Sequence, residues 1–546
     1  MAPHAVAKLP VLAGFEDWEA LFQPGRWAAL EQILPKYMRP RRWFSGKART
    51  LAGVHIQAAL PLRYAEHTAY ITLVQVNYAD GGAETYVLPL AYTSLAAATR
   101  ATMPVHALVA KIADGVLFDP IYDAAFCGAL LDIIAAQAQV HTSAGDLLAS
   151  TSSAFARLRG PLGEVLTPKV STAEQSNSSI IFGQRLIMKL FRRLEPGLNP
   201  DLEIGAFLTE HSNFAHIPPV AGAIEFVQGD TRMTLALLQG FVPNRGDAWY
   251  YTLATIAATF GHILARPAEF SLTVGAAPGL FADSALPLPP EANTLLGEFA
   301  VSAALLGQRT GEMHLALASD ATAPAFAPAP FTQEYQAVLL GSMERRAQQS
   351  FALLRTSVER LPTTLQPDAQ RLLAREDAVF ARLRTALAQP VQAQRSRIHG
   401  DYHLGQVLYT GSDFFIIDFE GEPARPLSER RQKGVPLQDV AGMLRSLHYA
   451  PYAVLFGQAP GVAFSEDEQA ALEPWARAWH RWASTAFFRS YLATVGDAPV
   501  LPPPTVLHTL FDAFMLDKAV YELRYELNNR PGWAGIPLEG VLQLIE

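Results

Sequence analysis

From residue 67 the chain alternates with a period of two. Tyr70, Thr72, Val74, Val76 and Tyr78 fall on one face, and Asp80-Gly81-Gly82 supplies a turn, so residues 67–91 predict a β-hairpin. A second hairpin is expected over 105–119, around Asp114-Gly115, followed by a helix over 123–140. Strands are then expected at 164–171, 178–182, 186–191, 221–228 and 231–238, punctuated by Gly183 and Gln228-Gly229-Asp230. Asn199-Pro200, with Asp201 and Glu203 in the first turn, opens a helix. Beyond residue 245 the spacing of apolar positions lengthens to three and four. Helices are predicted over 248–265, 296–318, 331–357, 366–388, 465–494 and 506–529, and the Pro-, Ala- and Gly-rich stretch 266–293 reads as a long surface loop. No short internal repeat is present. The pattern predicts an α+β chain in three parts: an N-terminal cap subdomain over 1–95, a β-rich part over 96–243 and a mostly helical part over 244–546.

Composition narrows this picture. With 546 residues, half of them hydrophobic and 17% charged, the chain has ample material for a large core. The 43 basic and 51 acidic residues give a net charge of −8, with no dense Lys/Arg run, so nucleic acid is not an expected partner. Cys127 is the only cysteine, which excludes an internal disulfide and fits a reducing cytoplasm. The N-terminus lacks the basic and apolar regions of a secretion signal, and no apolar run is long enough to cross a membrane. The cluster from Arg41 to Lys47 has two readings, a surface anion or partner site and a packed Trp43-Phe44 corner with solvated basic residues. The habitual burial of Trp and Phe favours the second.

The chemistry concentrates in IHGDYHLGQVLYTGSDFFIIDFEGEP, residues 398–423. Asp401, then Gln406 five residues on, then Asp418-Phe419-Glu420 repeats the order of parts used in phosphoryl transfer. A carboxylate there orients and deprotonates the attacking hydroxyl, so Asp401 is the candidate base. Oxygen ligands hold Mg²⁺ against the phosphates, so Gln406 and Asp418 are the candidate ligands. His399 and His403 read as braces of this loop rather than ligands. Upstream, Lys189 lies inside the apolar run 185–191 and needs a partner there; Glu203 on the following helix is the expected one. The polar turn 171–179, containing Ser176, Asn177 and Ser178, is the candidate phosphate cap, although it lacks glycine. Gln239-Gly240-Phe241 falls where an inter-lobe hinge facing adenine is expected. On the last predicted long helix, Lys518, Tyr521, Glu522, Tyr525 and Asn529 recur at steps of three and four. On spacing alone they read as an amphipathic surface helix.

SNSSIIFG, LIMKLFRRLEPGLNPDLEIGAFL, HGDYHLGQVL, DFEGEP and PLQDVAGMLRSLHYA fall in order between residues 176 and 450. In these segments the chain resembles the bacterial maltokinases of the aminoglycoside-phosphotransferase-like, eukaryotic-like kinase superfamily. The resemblance implies a bilobal protein-kinase-like fold with an extra N-terminal cap, a β-rich N-lobe and a helical C-lobe. It implies ATP and Mg²⁺ as cofactors and maltose as the acceptor, giving maltose 1-phosphate for α-glucan synthesis from trehalose. It also implies a possible complex with trehalose synthase, and a maltose site drawn from the terminal helix (Lys518, Tyr521, Glu522, Tyr525) with Glu420. Glucosamine kinases of the same superfamily are similar too, so an amino-sugar acceptor is the alternative. A third reading is a non-catalytic kinase-like partner; the intact set of Lys189, Asp401, Gln406 and Asp418 stands against it.

Overall fold

A computed structural model describes the chain except residues 1–8, 16, 24, 101–102, 162, 172–175, 273–278 and 546, and at Arg100 it describes only the backbone. The chain forms two compact units, residues 1–210 with 218–243, and residues 211–217 with 244–546.

The first unit contains two seven-stranded sheets. In the first sheet the predicted hairpin is present as His67–Tyr78 and Ala83–Ser94. It is extended on one side by Leu51–Tyr64 and on the other by Gly115–Phe118 and Leu108–Ile112. The strand Leu51–Tyr64 was not expected from the sequence. Its buried residues, Val54, Ile56, Ala58, Leu60, Leu62 and Tyr64, do alternate, but Pro61 and the small alanines obscure the signal. Both faces of the sheet are covered. Leu30, Leu34, Tyr37 and Met38 of the helix Ala28–Met38 pack with Val54, Ile56, Val74 and Val76. Phe126, Leu130 and Ile134 of Ala124–Ala135 belong to a second core with Leu60, Leu62, Ile180 and Met188. The basic-aromatic cluster is a packed corner: Phe44 is buried against Tyr86, while Arg42 and Lys47 are exposed.

The second sheet runs in the order Gln139–Thr142, Gly145–Thr151, Val220–Gln228, Thr231–Gly240, Leu186–Leu190, Ser178–Phe182, Pro168–Val170. The helix Pro200–His211 starts as its sequence predicts, with Asn199 Oδ1 accepting from the Asp201 backbone N–H at 2.8 Å.

The second unit is mostly helical. Ala248–Ala265, Phe299–Leu317, Gln333–Ser357, Glu466–Val495 and Pro504–Asn529 lie close to their predicted ranges. The predicted helix 366–388 is two helices, Gln366–Leu373 and Glu376–Ala386. Leu437–Leu455 and Gly535–Ile545 are further helices that the periodicity did not single out; the first is buried nearly all round, so no polar face marks it. The stretch 266–293 also departs from a plain loop, since Leu280–Ser284 and Pro290–Leu296 are helical. Asp283 there accepts two hydrogen bonds from Arg481, at 2.7 and 2.8 Å, which ties the segment to Glu466–Val495. Phe299–Leu317 packs on Glu466–Val495 at backbone contact: a Cβ on Gly307 would lie 2.0 Å from the Phe487 carbonyl oxygen. No helix of the described residues is long and apolar enough to cross a membrane.

Candidate active site

The segment 398–423 folds as a loop, a one-turn helix at Leu404–Gln406, a short hairpin of Val407–Tyr409 with Phe414–Ile416, and a second loop. Hairpin pairing decides where the candidate ligands go. The Ile417 N–H donates to the Gln406 carbonyl at 3.0 Å, so the residue after Ile417, Asp418, emerges beside Gln406. Asp418 has φ +68°, a left-handed backbone that a non-glycine residue adopts only when its surroundings impose it. Gly400, at φ +83°, brings the first loop against the second; a Cβ there would touch the Gly421 Cα at 3.3 Å.

A buried polar network holds this geometry. Asp439, 1% exposed, accepts from the backbone N–H of His399 at 2.7 Å and of Gly400 at 2.9 Å. Its other partner is His314, 3.1 Å away, whose remaining ring nitrogen meets the Tyr491 hydroxyl at 3.0 Å. Burial alone would raise the Asp439 carboxyl, but the His314 hydrogen bond and charge and the loop N–H groups outweigh it and hold the group below the usual carboxylate range. His399 Nε2 lies 2.9 Å from the Ile417 carbonyl, tying the Asp401 loop to the Asp418 strand. His403 Nδ1 accepts from the Gly405 N–H at 3.1 Å, and burial lowers its pKa, which favours the neutral ring this bond requires. Both histidines are therefore braces.

Asp401 lines a cavity of 320 Å³ with Gly400, Gly421, Glu422, Phe514, Asp517, Lys518 and Tyr521 among its walls. Lys518 Nζ lies 3.9 Å from Asp401 Oδ1 and 5.0 Å from the centre of the Tyr521 ring. Burial, with the Glu422 and Asp401 carboxylates, pushes the Tyr521 hydroxyl upward, so it stays a donor. Lys518 and Tyr521 thus share the cavity wall with Asp401. Glu522 and Tyr525 do not line this cavity. Successive helical residues are about 100° apart, so Glu522 turns away from Tyr521 and is bound by Arg445, at 2.8 Å from its Nε. Tyr525 is half exposed one turn further on, under the Arg530 guanidinium. Glu420 is likewise not a lining residue, whereas Glu422 is. Glu422 pairs with Arg425 at 2.7 Å. Asp517 makes a two-pronged pair with Arg346, at 2.9 and 2.6 Å. Only weak local signals mark these residues: Asp517 adjoins Lys518, and Glu422 lies in the DFEGEP run.

In the β-rich unit, Lys189 faces a carboxylate as expected; Asp201, which the sequence reading did not single out as its partner, lies 3.1 Å away and is 1% exposed. Glu203 lies two residues further along the same helix and is half-buried. Ser176 is exposed and Asn177 half-buried; part of their turn, 172–175, lies outside the described residues. Ser178 is turned inward, its hydroxyl accepting from Arg192 at 2.8 Å, so it is not a phosphate-facing group. Gln239 pairs with Ile187 at the end of its strand, and the Phe241 N–H is already donated to the Arg185 carbonyl at 2.8 Å.

Comparison with known proteins agrees with this architecture. Residues 37–126 match the model of the maltokinase N-terminal cap domain, and residues 300–484 match that of the phosphotransferase enzyme family. A glucosamine kinase from Streptacidiphilus jiangxiensis is 27% identical over 373 residues, 67% of this chain and 70% of the relative. Another from Mycolicibacterium smegmatis is 26% identical over 376 residues, 67% of this chain and 76% of the relative. A solved glucosamine kinase superposes with a TM-score of 0.61 at 20% identity, over 97% of this chain and 99% of that one. A glucosamine kinase complex with glucosamine, ADP and inorganic phosphate gives 0.58 at 21%, over 94% and 99%. These likenesses establish the expected α+β kinase-like fold with its N-terminal cap, joined to a phosphotransferase segment that contains the Asp401 loop.

Proposed function

We propose that this chain is an ATP-dependent sugar kinase that phosphorylates maltose at its anomeric hydroxyl to give maltose 1-phosphate. The observation that carries the reading is Asp401 in the wall of a 320 Å³ cavity, with Lys518 and Tyr521 beside it. The volume is in the range of small-molecule sites and exceeds what one hexose ring fills. An aromatic ring beside carboxylates and a lysine is the equipment for stacking on a neutral sugar and bonding its hydroxyls.

In this reading the acceptor oxygen attacks the γ-phosphorus of ATP as the bond to the bridging oxygen breaks. ADP leaves, and the hydroxyl proton passes to Asp401. Lys189, fixed by Asp201, contacts the phosphates. Gln406 and Asp418 offer amide and carboxylate oxygens, a donor set that fits Mg²⁺. When bound, the ion supplies charge neutralisation on the phosphates. Asp439 and His314 keep the Asp401 loop in place, which matters because a loose transition state asks mainly for positioning. A cytoplasmic setting, with trehalose synthase supplying the acceptor, belongs to the same reading.

A second acceptor, glucosamine, is favoured by the names of the relatives. The cavity charge weighs against it. Among lining residues, the cations Arg345, Arg346, Arg425, Arg430, Lys433 and Lys518 match and slightly outnumber the carboxylates Asp401, Glu422, Glu429, Asp439 and Asp517. Lys518 lies where an ammonium near the reacting hydroxyl would be repelled. ADP release measured with maltose, glucose, glucosamine and an aminoglycoside separates the readings. Maltose is expected to give the highest kcat/KM; a clear preference for glucosamine would replace the acceptor while keeping the chemistry.

A further inference from the structure

Between Leu190 and Arg193 the chain leaves one sheet for the other. Leu190 pairs with Ala236, and the Phe191 N–H donates to the Leu235 carbonyl, both in the sheet that carries Lys189. One residue on, the Arg192 carbonyl accepts from the Val87 N–H at 2.8 Å, and Arg193 pairs with Tyr86 in the cap sheet. Arg192 sits at this crossing with its side chain 0% exposed. Its Nε donates to Ser178 Oγ at 2.8 Å, and one terminal nitrogen donates to Asp119 Oδ2 at 2.7 Å. The guanidinium also lies over the Trp43 ring, at 5.2 Å. The other terminal nitrogen has no hydrogen-bond partner among the described residues.

A buried guanidinium with one nitrogen unserved is a poor way to gain stability, since burying the charge costs about as much as the pair returns. What the arrangement does achieve is direction. Ser178 begins the strand Ser178–Phe182, immediately after Ser176 and Asn177, and the register sets Ser179 opposite Lys189. Arg192 therefore holds the start of that strand against Asp119, which also accepts from the Ile121 N–H at 3.3 Å to cap the turn Pro120–Tyr122. We propose that Arg192 is a positioning residue for the nucleotide: acting through Ser178, it fixes the backbone that leads from Ser176 and Asn177 to the strand facing Lys189, with Asp119 and Trp43 as its anchor in the cap. This rests on the kinase reading above.

A double-substitution cycle tests it in the full chain. Arg192→Lys keeps a charge for Asp119 but loses the Ser178 bond; Ser178→Ala loses the same bond and leaves the Asp119 pair. Each is expected to raise KM for ATP about tenfold, the scale of one charged hydrogen bond, with kcat and the sugar KM nearly unchanged. The double variant should be no worse than either single one, because both remove one interaction. Effects on KM for ATP that add would mean that Ser178 meets the phosphates directly, and would overturn the proposal. So would a lowered Tm with an unchanged KM for ATP. A wild-type chain that releases no ADP with any sugar would instead sink the kinase reading on which the inference stands.

Discussion

The Asp401 loop is a candidate site by its spacing and the face of the terminal helix by resemblance alone, and the fold treats them differently. In the loop, hairpin pairing sets Asp418 beside Gln406 and the buried Asp439 carboxylate fixes the segment that carries Asp401, while Glu420 stays out of the cavity wall. On the helix, Lys518 and Tyr521 line the cavity while Glu522 and Tyr525 do not. Spacing says which residues share a face, and only the neighbours decide what that face meets. Arg445, 3% exposed on Leu437–Leu455, claims Glu522 for the interior.

The largest effect is expected at the loop. Asp401→Ala is expected to lower kcat by about 10²- to 10⁴-fold, the scale of a positioned acid–base group, with Tm nearly unchanged; coupled ADP release measures it. Asp439→Asn should cost about 10²-fold in kcat, because a single amide oxygen is left to accept from the His399 and Gly400 N–H groups and Asp401 shifts. It should also lower Tm, which separates it from the first variant.

On the helix, Tyr521→Ala should raise the maltose KM about tenfold by removing a stacking face, and Tyr525→Ala should change it less than about twofold. Equal effects would erase the distinction drawn from the cavity. Glu522→Gln should act on stability rather than affinity, by about 3 kcal/mol, since it leaves the Arg445 charge buried with its partner neutralised.

A smaller effect, dependent on pH, arises beneath this helix. His448 and His480 are buried with ring centroids 4.4 Å apart; His448 Nδ1 accepts from Arg445 at 2.7 Å. Burial first, then the His480 and Arg445 charges, hold His448 well below its usual value, and burial with Arg445 lowers His480 to about 3. The unfolded chain titrates these groups near pH 6.5, so it binds more protons than the native one below that pH. Stability should be full above about pH 6.5 and fall as pH drops toward 3, by up to about 1.4 kcal/mol per pH unit for each histidine. Thermal melts of wild type and His480→Gln across pH 4–7 check this; the variant should show the shallower slope.

Much of the architecture was readable because its signals are local. The hairpin around Asp80-Gly81-Gly82, the Asn199-Pro200 helix start and the helix Ala248–Ala265 each announce themselves within a few residues. What was missed depends on long-range packing. Leu437–Leu455 is a helix with almost no polar face, and the strand Leu51–Tyr64 is a proline-interrupted run completed by its neighbour. The Asp201 pair with Lys189 was missed for a related reason: the first turn offers two carboxylates, and which of them comes within 3.1 Å depends on how the helix packs on the sheet. Ser178 looked like a phosphate ligand because Arg192, fourteen positions later, gives no local sign of claiming it.

If the proposed function holds, Asp401 directs phosphoryl transfer to the anomeric hydroxyl of a neutral disaccharide. Phosphorus NMR of the product formed by the wild-type chain from maltose, ATP and Mg²⁺ tests it most directly. A single phosphate ester coupled to the anomeric proton of the reducing ring is expected. An ester at another carbon, or no transfer to maltose while glucosamine is phosphorylated, would contradict it.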